Sequence, residues 1–139
     1  VFSYNIWVYT TSLSGNQAAI TGGGNQALCA FTASNGKYSL GNTQPTNTTT
    51  NAPTNEWSML TYTRNGTSGV AKTYFNGEEE SNNTNTTSIK SGDWFLGGQS
   101  PDISEGWKGR IDELCIAERV FTDSEITELY NDGDGLSLL

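Results

Sequence analysis

Histidine is missing altogether from this sequence of 139 residues. Its imidazole is the usual general base at neutral pH and the commonest metal ligand in proteins. The absence excludes Ser-His-Asp and Cys-His catalysis, and it excludes zinc hydrolases that hold their metal through histidine. Enzymes of these classes are therefore not expected.

Basic residues and long apolar runs are scarce. Seven Lys and Arg stand against 15 Asp and Glu, which gives a formal net charge of -8. Such a chain has no cationic stripe to neutralise a phosphate backbone, so we predict no nucleic-acid partner. The apolar runs are far shorter than the roughly 18 residues that span a bilayer, and no basic-then-apolar leader is visible. We therefore predict no membrane insertion.

Small residues dominate the composition, since Thr, Gly, Asn and Ser make up almost half of the chain. Thr favours strands, whereas Gly and Asn favour turns, so the composition predicts an all-β protein. It is also typical of proteins found outside cells or on virus particles, and we expect an extracellular or virion-surface location. The length fits one domain over residues 1–139, which can hold a core without disulfides. Whether Cys29 and Cys115 form a disulfide or remain free thiols is left open.

The first ten residues alternate with the period of two that a strand requires. One face, predicted to point into the core, carries four apolar side chains: Phe2, Tyr4, Ile6 and Val8. The other face carries Trp7 and Tyr9, which we expect to be covered by a second layer or by a loop.

Turn signals separate the other strand candidates. Asn35-Gly36 lies between two strand-like runs, residues 27–32 and 37–40, and predicts a hairpin because both positions tolerate a positive φ. A second hairpin is predicted to join residues 56–64 to residues 70–75. Further strand candidates are residues 18–21, 86–90, 94–96 and 107–120. Residues 41–55, which are nearly all Asn, Thr, Gln and Pro, are predicted to form a long polar loop.

One helix is predicted after the last strand. Thr122–Glu125 has the sequence of a capping box, in which a threonine hydroxyl and a glutamate three residues later satisfy the first backbone amides. Ile126, Leu129 and Tyr130 have the spacing of a buried stripe, and Gly133 is a natural stop. So short a helix must dock on the sheets to be stable.

Several segments occur in an order that resembles a known superfamily. They are Phe2–Val8, Glu56–Leu60, Thr73–Gly77, Phe95–Gly97 and Gly106–Leu114, followed by the pattern Thr122-x-x-Glu125-Ile126-x-x-Leu129-Tyr130. They resemble the laminin G-like, concanavalin A-like lectin superfamily. The resemblance implies a jelly-roll sandwich of two antiparallel sheets. The strand that this family places before Phe2 is absent, which implies that the chain is part of a larger one or that another part of the protein supplies the strand.

The resemblance leaves the activity open, because this superfamily includes lectins, adhesion modules, glycosidases and packing domains. Its glycosidases carry Glu-x-Asp-x-Glu on one strand, and this triplet is absent here. Asp112-Glu113 and Glu118 have a different spacing, and adjacent strand residues face opposite ways. We interpret Asp112 as a hydrogen-bonding fold residue and predict that the protein is not an enzyme.

One acidic loop is a candidate calcium site. Calcium takes about six to eight oxygen ligands, and Asp93, Asp102 and Glu105 lie near one another in sequence. The alternative is a solvated acidic loop. Residues 102–134 hold ten acids and three bases, which we interpret as a solubilising face rather than a cation-binding end.

Sugar binding on a sandwich uses an exposed aromatic ring with polar neighbours. Trp94, Trp107 and Tyr38 lie next to loops and are the candidate carbohydrate-binding residues, with packing as the alternative role for each. Trp7 and Trp57 are interpreted as core or layer residues.

Two classes of function remain from the sequence. The first is a non-catalytic recognition or adhesion module whose loops bind a glycan or a cell-surface receptor. The second is a structural domain on a virus or bacteriophage particle, in the capsid or tail, that packs against other subunits. A glycosidase-related domain is a weaker third alternative.

Overall fold

The computed structural model describes residues 1–22, 35–41, 46–66, 68–85, 92–98 and 105–136, and residues 31–32 as backbone. The strands are β1 (Phe2–Thr10), β2 (Gln17–Ala18), β3 (Ile20–Gly22), β4 (Phe31–Thr32), β5 (Lys37–Leu40), β6 (Thr46–Asn51), β7 (Trp57–Arg64), β8 (Val70–Phe75), β9 (Glu78–Thr84), β10 (Trp94–Leu96) and β11 (Gly109–Ala117). One helix, α1 (Asp123–Tyr130), is followed by a 3-10 turn at Asn131–Gly133. Within these ranges no helix is both long enough and apolar enough to cross a bilayer.

The strands pair into antiparallel sheets, as the alternating sequence predicts. A five-stranded sheet has the order β11-β1-β7-β8-β9, a four-stranded sheet has the order β2-β4-β5-β6, and β10 pairs with β3 in a two-stranded ribbon. The hairpin of β4 with β5 and the hairpin of β7 with β8 are both confirmed by their antiparallel registers. The fold class predicted from the sequence, an all-β jelly-roll sandwich with one short helix, is confirmed.

The main core lies on the inner face of the five-stranded sheet. All four side chains predicted to point inward from β1 are buried there, and they pack with Ile20 of β3, Tyr38 and Leu40 of β5, and Leu60 and Tyr62 of β7. The period-two pattern therefore identified the buried face correctly, because alternate strand residues face opposite sides of a sheet. Buried hydroxyl pairs cross between strands of the two larger sheets: Thr10 with Tyr38 and Thr46 with Thr73, each at 2.8 Å.

The outer face of the same sheet is covered by α1. Ile126 is fully buried there against Trp7 and Met59, and the ring of Tyr130 stacks on Trp7 with centroids 5.9 Å apart. The predicted cover over Trp7 is therefore the carboxy-terminal helix. The capping box is also present, with the Glu125 amide donating to Thr122 Oγ1 at 3.2 Å.

The end of α1 and one loop differ from the prediction. The helix ends at Tyr130, before Gly133, because Asn131 takes the left-handed conformation at the C-cap. Residues 46–51 form the edge strand β6 and not a loop. Their threonines suit a pleated edge, where Thr46 and Thr48 are buried while Asn47 and Thr49 face solvent.

Some predictions fall on undescribed residues. The strand candidate at residues 86–90 lies outside the described ranges, as do residues 27–30 of the predicted run 27–32, which include Cys29. Cys115 is a half-buried free thiol on β11.

Acid is expected to weaken the start of α1. Arg119, held 2.6 Å from Glu125, and the Thr122 amide together lower the pKa of Glu125 from 4.5 to about 2. A carboxylate whose pKa is lowered by folding stabilises the native state above its ordinary pKa, and this stabilisation is lost as the pH falls from about 4.5 to about 2. In urea titrations, the stability difference between the wild type and Glu125→Gln should shrink over this window.

Arg119→Gln is the companion variant for this test, because it removes the same ionic partner from the other side. Its stability difference from the wild type should shrink over the same window. A difference that stays constant between pH 5 and pH 2 would contradict the assignment.

Candidate functional site

Aromatic side chains form a row on the outer face of the five-stranded sheet. Tyr9 lies opposite Trp57 on one side and opposite Arg110 on the other, and directly opposed residues of antiparallel strands share a face. The rings of Tyr9 and Trp57 meet edge to face at 5.6 Å, and the Arg110 guanidinium lies 5.1 Å from the Tyr9 centroid. Trp57 begins its strand and is 38% exposed, so part of its ring is open to solvent.

A β-bulge redirects β11 beside this row. The register between β1 and β11 shifts between the pairs Asn5/Cys115 and Trp7/Asp112, which leaves Glu113 in the irregular stretch. Glu113 has φ of +46°, in the left-handed region that non-glycine residues rarely adopt, and its amide donates to the Asp112 carboxylate at 2.8 Å. Such bulges often lie next to functional sites, where they re-aim a side chain.

The turn after α1 supplies the opposite wall. Asn131 Nδ2 donates to the Gly135 carbonyl at 2.8 Å and closes the turn. A Cβ on Gly135 would lie 2.8 Å from Glu113 Oε2, and Gly135 has φ of +67°. The backbone conformation favours glycine at this position, and a Cβ there would make the end of the Glu113 side chain shift.

Together these elements enclose a cleft of about 180 Å³, which we call the Trp57 cleft. It is lined by Trp7, Trp57, Asp112, Glu113, Gly133, Asp134 and Gly135. Trp7 is 6% exposed, and its indole Nε1 has no hydrogen-bond partner among the described residues. A buried N–H without a partner costs free energy that a bound acceptor would recover.

The Trp57 cleft is acidic. Asp112 and Asp134 are exposed, and Glu113 is half-buried. Burial, assisted by the charge of Asp112, raises the pKa of Glu113 above its ordinary value. Within the described ranges, no three acids, cysteines or histidines come close enough together to hold a metal ion.

Tyr38, one of the three predicted sugar-binding residues, is a core residue. Its side chain is fully buried, it shares a hydrogen bond with Thr10, and its ring stacks on Phe75 with centroids 6.1 Å apart. The prediction of a surface role is wrong here because the four-stranded sheet turns this face of β5 toward the core.

Trp94 and Trp107 differ in exposure. Trp94 begins β10, lies over Gly22 of the paired strand, and is 43% exposed, which leaves its ring available as a platform. Trp107 is half-buried against the main core, and its Nε1 donates to the Arg110 carbonyl at 3.2 Å. Sugar binding by either tryptophan stays a prediction.

The candidate calcium residues are only partly described. Asp93 is exposed in the segment before β10. Glu105 accepts from the Asn16 amide at 3.4 Å, and its carbonyl accepts from the Ala18 amide. Asp102 lies outside the described residues. Calcium binding by these three residues stays a prediction.

The Trp57 cleft was not identified from the sequence. From the sequence, Trp57 is interpreted as a core or layer residue. Its position at the start of a strand, after a polar segment, is nevertheless a signal for exposure. Asp112 does hydrogen-bond within the fold, as expected, but it also lines the cleft. Nothing local in the sequence brings residues 133–135 to this face, since their position depends on how α1 docks.

The Laminin_G_3 family model, described as the concanavalin A-like lectin/glucanases superfamily, matches residues 1–127. The chain belongs to this superfamily. The recognition of a laminin G-like, concanavalin A-like domain from the sequence is therefore confirmed. A search of the curated proteins found no match.

Solved structures share the fold. A putative carbohydrate binding protein from Bacteroides ovatus ATCC 8483 is 17% identical with a TM-score of 0.75, over 91% of this chain and 39% of that one. Domain 4 of AbnA, a GH43 extracellular arabinanase from Geobacillus stearothermophilus in complex with arabinotriose, is 26% identical with a TM-score of 0.72, over 91% of this chain and 64% of that one. The CBM40 of the Ruminococcus gnavus IT-sialidase, bound to α2,3-sialyllactose, is 18% identical with a TM-score of 0.72, over 91% of this chain and 80% of that one. This chain therefore spans less than two thirds of the first two.

Proposed function

We propose that the protein is a non-catalytic carbohydrate-recognition module that acts outside cells and binds a sugar in the Trp57 cleft. The observation that carries the proposal is the meeting of an exposed indole ring, separate carboxylates and an unsatisfied buried N–H in one cleft. Carbohydrate-binding domains among the structural relatives support the same class of function.

Each feature of the cleft matches one feature of a pyranose. The open part of the Trp57 ring suits the apolar face of the sugar, as aromatic side chains do at polar interfaces. The carboxylates of Asp112 and Asp134 are acceptors for sugar hydroxyls, and the unpaired Trp7 N–H would donate to a sugar oxygen that reaches it. A volume of about 180 Å³, below the roughly 300 Å³ of sites for larger ligands, suits a single ring.

A binding role suits these carboxylates better than hydrolysis does. Glycosidases need two carboxyl groups on either side of the scissile bond, one acid and one base or nucleophile. Here the Asp112 carboxylate accepts from the Glu113 amide at 2.8 Å, which ties it to the backbone of the bulge. Asp112 and Glu113 are adjacent on one strand, so these two carboxylates do not face each other across a bound sugar as the catalytic pair of a glycosidase does.

Trp57→Ala is expected to weaken glycan binding about tenfold or more, because it removes the stacking surface. Binding would be measured by glycan array and then by calorimetry on the best ligand. Trp94→Ala is the matched control, since it removes a tryptophan of similar exposure from another surface. Thermal unfolding of both variants excludes a loss caused by misfolding.

Loss of binding in Trp94→Ala with retention in Trp57→Ala would move the sugar site to β10, in agreement with the residue predicted from the sequence. No binding to any neutral, amino or acidic glycan by the wild-type protein would refute the recognition function itself.

A second candidate function, packing against other subunits of a larger assembly such as a bacteriophage capsid or tail, is supported by a different surface. An apolar groove of about 390 Å³ is lined by Val1, Phe2, Trp94, Ile116, Ala117 and Glu118. Ile116 and Leu96 are 46% and 59% exposed, and β10 pairs with β3 alone among the described strands. An exposed apolar surface beside an unpaired edge is typical of an interaction site.

Sedimentation velocity separates the two candidates. A packing domain should self-associate as its concentration rises, lose this association in Ile116→Lys, and show no affinity for sugars. A monomer at all concentrations that binds a glycan would contradict the packing role.

A further inference from the structure

We infer that the Trp57 cleft selects sugars that carry a free ammonium group, the de-N-acetylated hexosamines, over neutral and anionic sugars. The inference rests on the proposed function and adds the class of ligand. It follows from the charges of the cleft, from the conformation of Glu113, and from the indole groups of Trp7 and Trp57.

The cleft carries acidic groups without neutralising partners. Asp112, Glu113 and Asp134 line it, and no Lys or Arg does. The two ion pairs in the described part of the chain, Lys72–Glu79 and Arg119–Glu125, involve none of these three acids. Arg110 shares the face of Asp112, but its guanidinium lies over the Tyr9 ring. A bound ligand therefore meets a negative potential, which favours a cation and repels uronic and sialic acids.

Glu113 is held where its charge is poorly compensated. Its backbone is in the left-handed region, which is strained for a residue other than glycine, and its carboxylate faces Gly135 at close range. Burial and the neighbouring Asp112 disfavour the ionised form, so its pKa is raised. An ammonium group placed in the cleft would favour that ionised form. Strain of this kind persists where the surrounding structure enforces it, and it is a common feature of ligand sites.

The indole groups of Trp57 and Trp7 restrict the class of ligand further. The exposed face of Trp57 attracts a cation through its π system, and it also accepts the apolar face of a sugar ring. Trp7 also lines the cleft, and its buried N–H has no acceptor among the described residues, so an oxygen atom of a ligand that reaches it would satisfy this donor. A bare metal ion provides no such acceptor, and no three acids of the described ranges are grouped as metal ligands. An amino sugar carries the ammonium group, the ring face and the oxygen atoms together.

The test compares two oligosaccharides that differ in one group. Oligomers of β-1,4-linked glucosamine and of its N-acetylated form have the same backbone, and oligogalacturonate supplies an anionic ligand. Calorimetry at pH 6 and low salt should give the free-amine oligomer about tenfold tighter binding than the N-acetylated one, and no binding of oligogalacturonate. The preference should weaken as salt is added, because screening reduces the attraction between exposed charges.

Variants assign the preference to the cleft. Glu113→Gln and Asp134→Asn each remove a cleft charge and should reduce the ratio of free-amine to N-acetylated binding several-fold. Glu78→Gln, which removes the same charge from the exposed edge strand β9, should leave the preference unchanged. Binding of the free-amine oligomer should also weaken as the pH falls and Glu113 is protonated. Asp112, Asp134 and Arg110 are the other charged groups that face the region around Glu113.

The outcomes distinguish the two proposals. Equal binding of the free-amine and N-acetylated oligomers, or preference for the anionic oligomer, would overturn the selectivity and leave sugar recognition intact. A preference reduced equally by Glu78→Gln would show that net charge, and not the cleft, is responsible, and it would also overturn the inference. Failure of every glycan to bind would overturn the proposed function itself.

Discussion

Gly109→Ala is expected to lower the free energy of unfolding by about 3 kcal/mol, which is near the upper end for overpacking a well-fitted site. A Cβ at position 109 would lie 1.7 Å from the carbonyl oxygen of Tyr9, which is backbone and has no rotamer to move to. Gly109 pairs with Thr10 at the end of β1, so the two strands must separate at this end to admit the methyl group. Urea denaturation followed by tryptophan fluorescence would measure the loss.

Gly97→Ala is the matched control for this prediction. Gly97 has φ of +79° and a Cβ there meets no atom within 4 Å, so the alanine encounters backbone strain without a clash. The expected loss is about 1 kcal/mol. If the two variants are equally stable, the close approach of Tyr9 to Gly109 does not constrain the fold.

Ile126→Ala is expected to lower the free energy of unfolding by about 3 kcal/mol, which is in the range for truncating a fully buried aliphatic side chain. Ile126 has no exposed surface and is the fully buried contact of α1 with the outer face of the sheet. A helix of eight residues does not persist by itself, so a weaker contact also loosens the turn that it carries. Because Gly133–Gly135 form one wall of the Trp57 cleft, the variant should lose sugar affinity together with stability.

Thr127→Ala provides the comparison on the same helix. Thr127 is exposed, and its hydroxyl donates only to the Asp123 carbonyl. The free energy of unfolding should therefore change by no more than about 0.5 kcal/mol, and sugar binding should not change. If Ile126→Ala is destabilised but keeps its full sugar affinity at low temperature, sugar binding in the Trp57 cleft does not depend on the docking of α1.

Local patterns predicted most of the fold. The alternation in β1, the Asn35-Gly36 turn and the capping box at Thr122 each depend on interactions within a few residues, and all three are present. The edge strand β6 was missed because its sequence has no apolar side chains. Threonine methyl groups and hydroxyls suffice there, since the Thr46 hydroxyl reaches Thr73 across the sandwich.

The candidate sites were harder to predict, because exposure of an aromatic residue is a property of the whole molecule. Tyr38 and Trp57 both flank polar segments in sequence, yet Tyr38 lies under the five-stranded sheet while Trp57 stands at the edge of a cleft. Glu113 follows the Ile-Asp pair on a strand, and only the bulge in β11 turns it toward Gly135.

The sequence by itself determined the antiparallel layers, the capped helix and the absence of histidine chemistry, because side-chain alternation, capping and composition are local or global properties that need no coordinates. Only the tertiary structure decided which tryptophan faces solvent beside acidic groups. That outcome depends on packing α1 and its following turn across β1, β7 and β11, whose residues are separated by up to about a hundred positions in the chain. Contacts over such distances follow from burial and shape, which no short segment of this chain encodes alone.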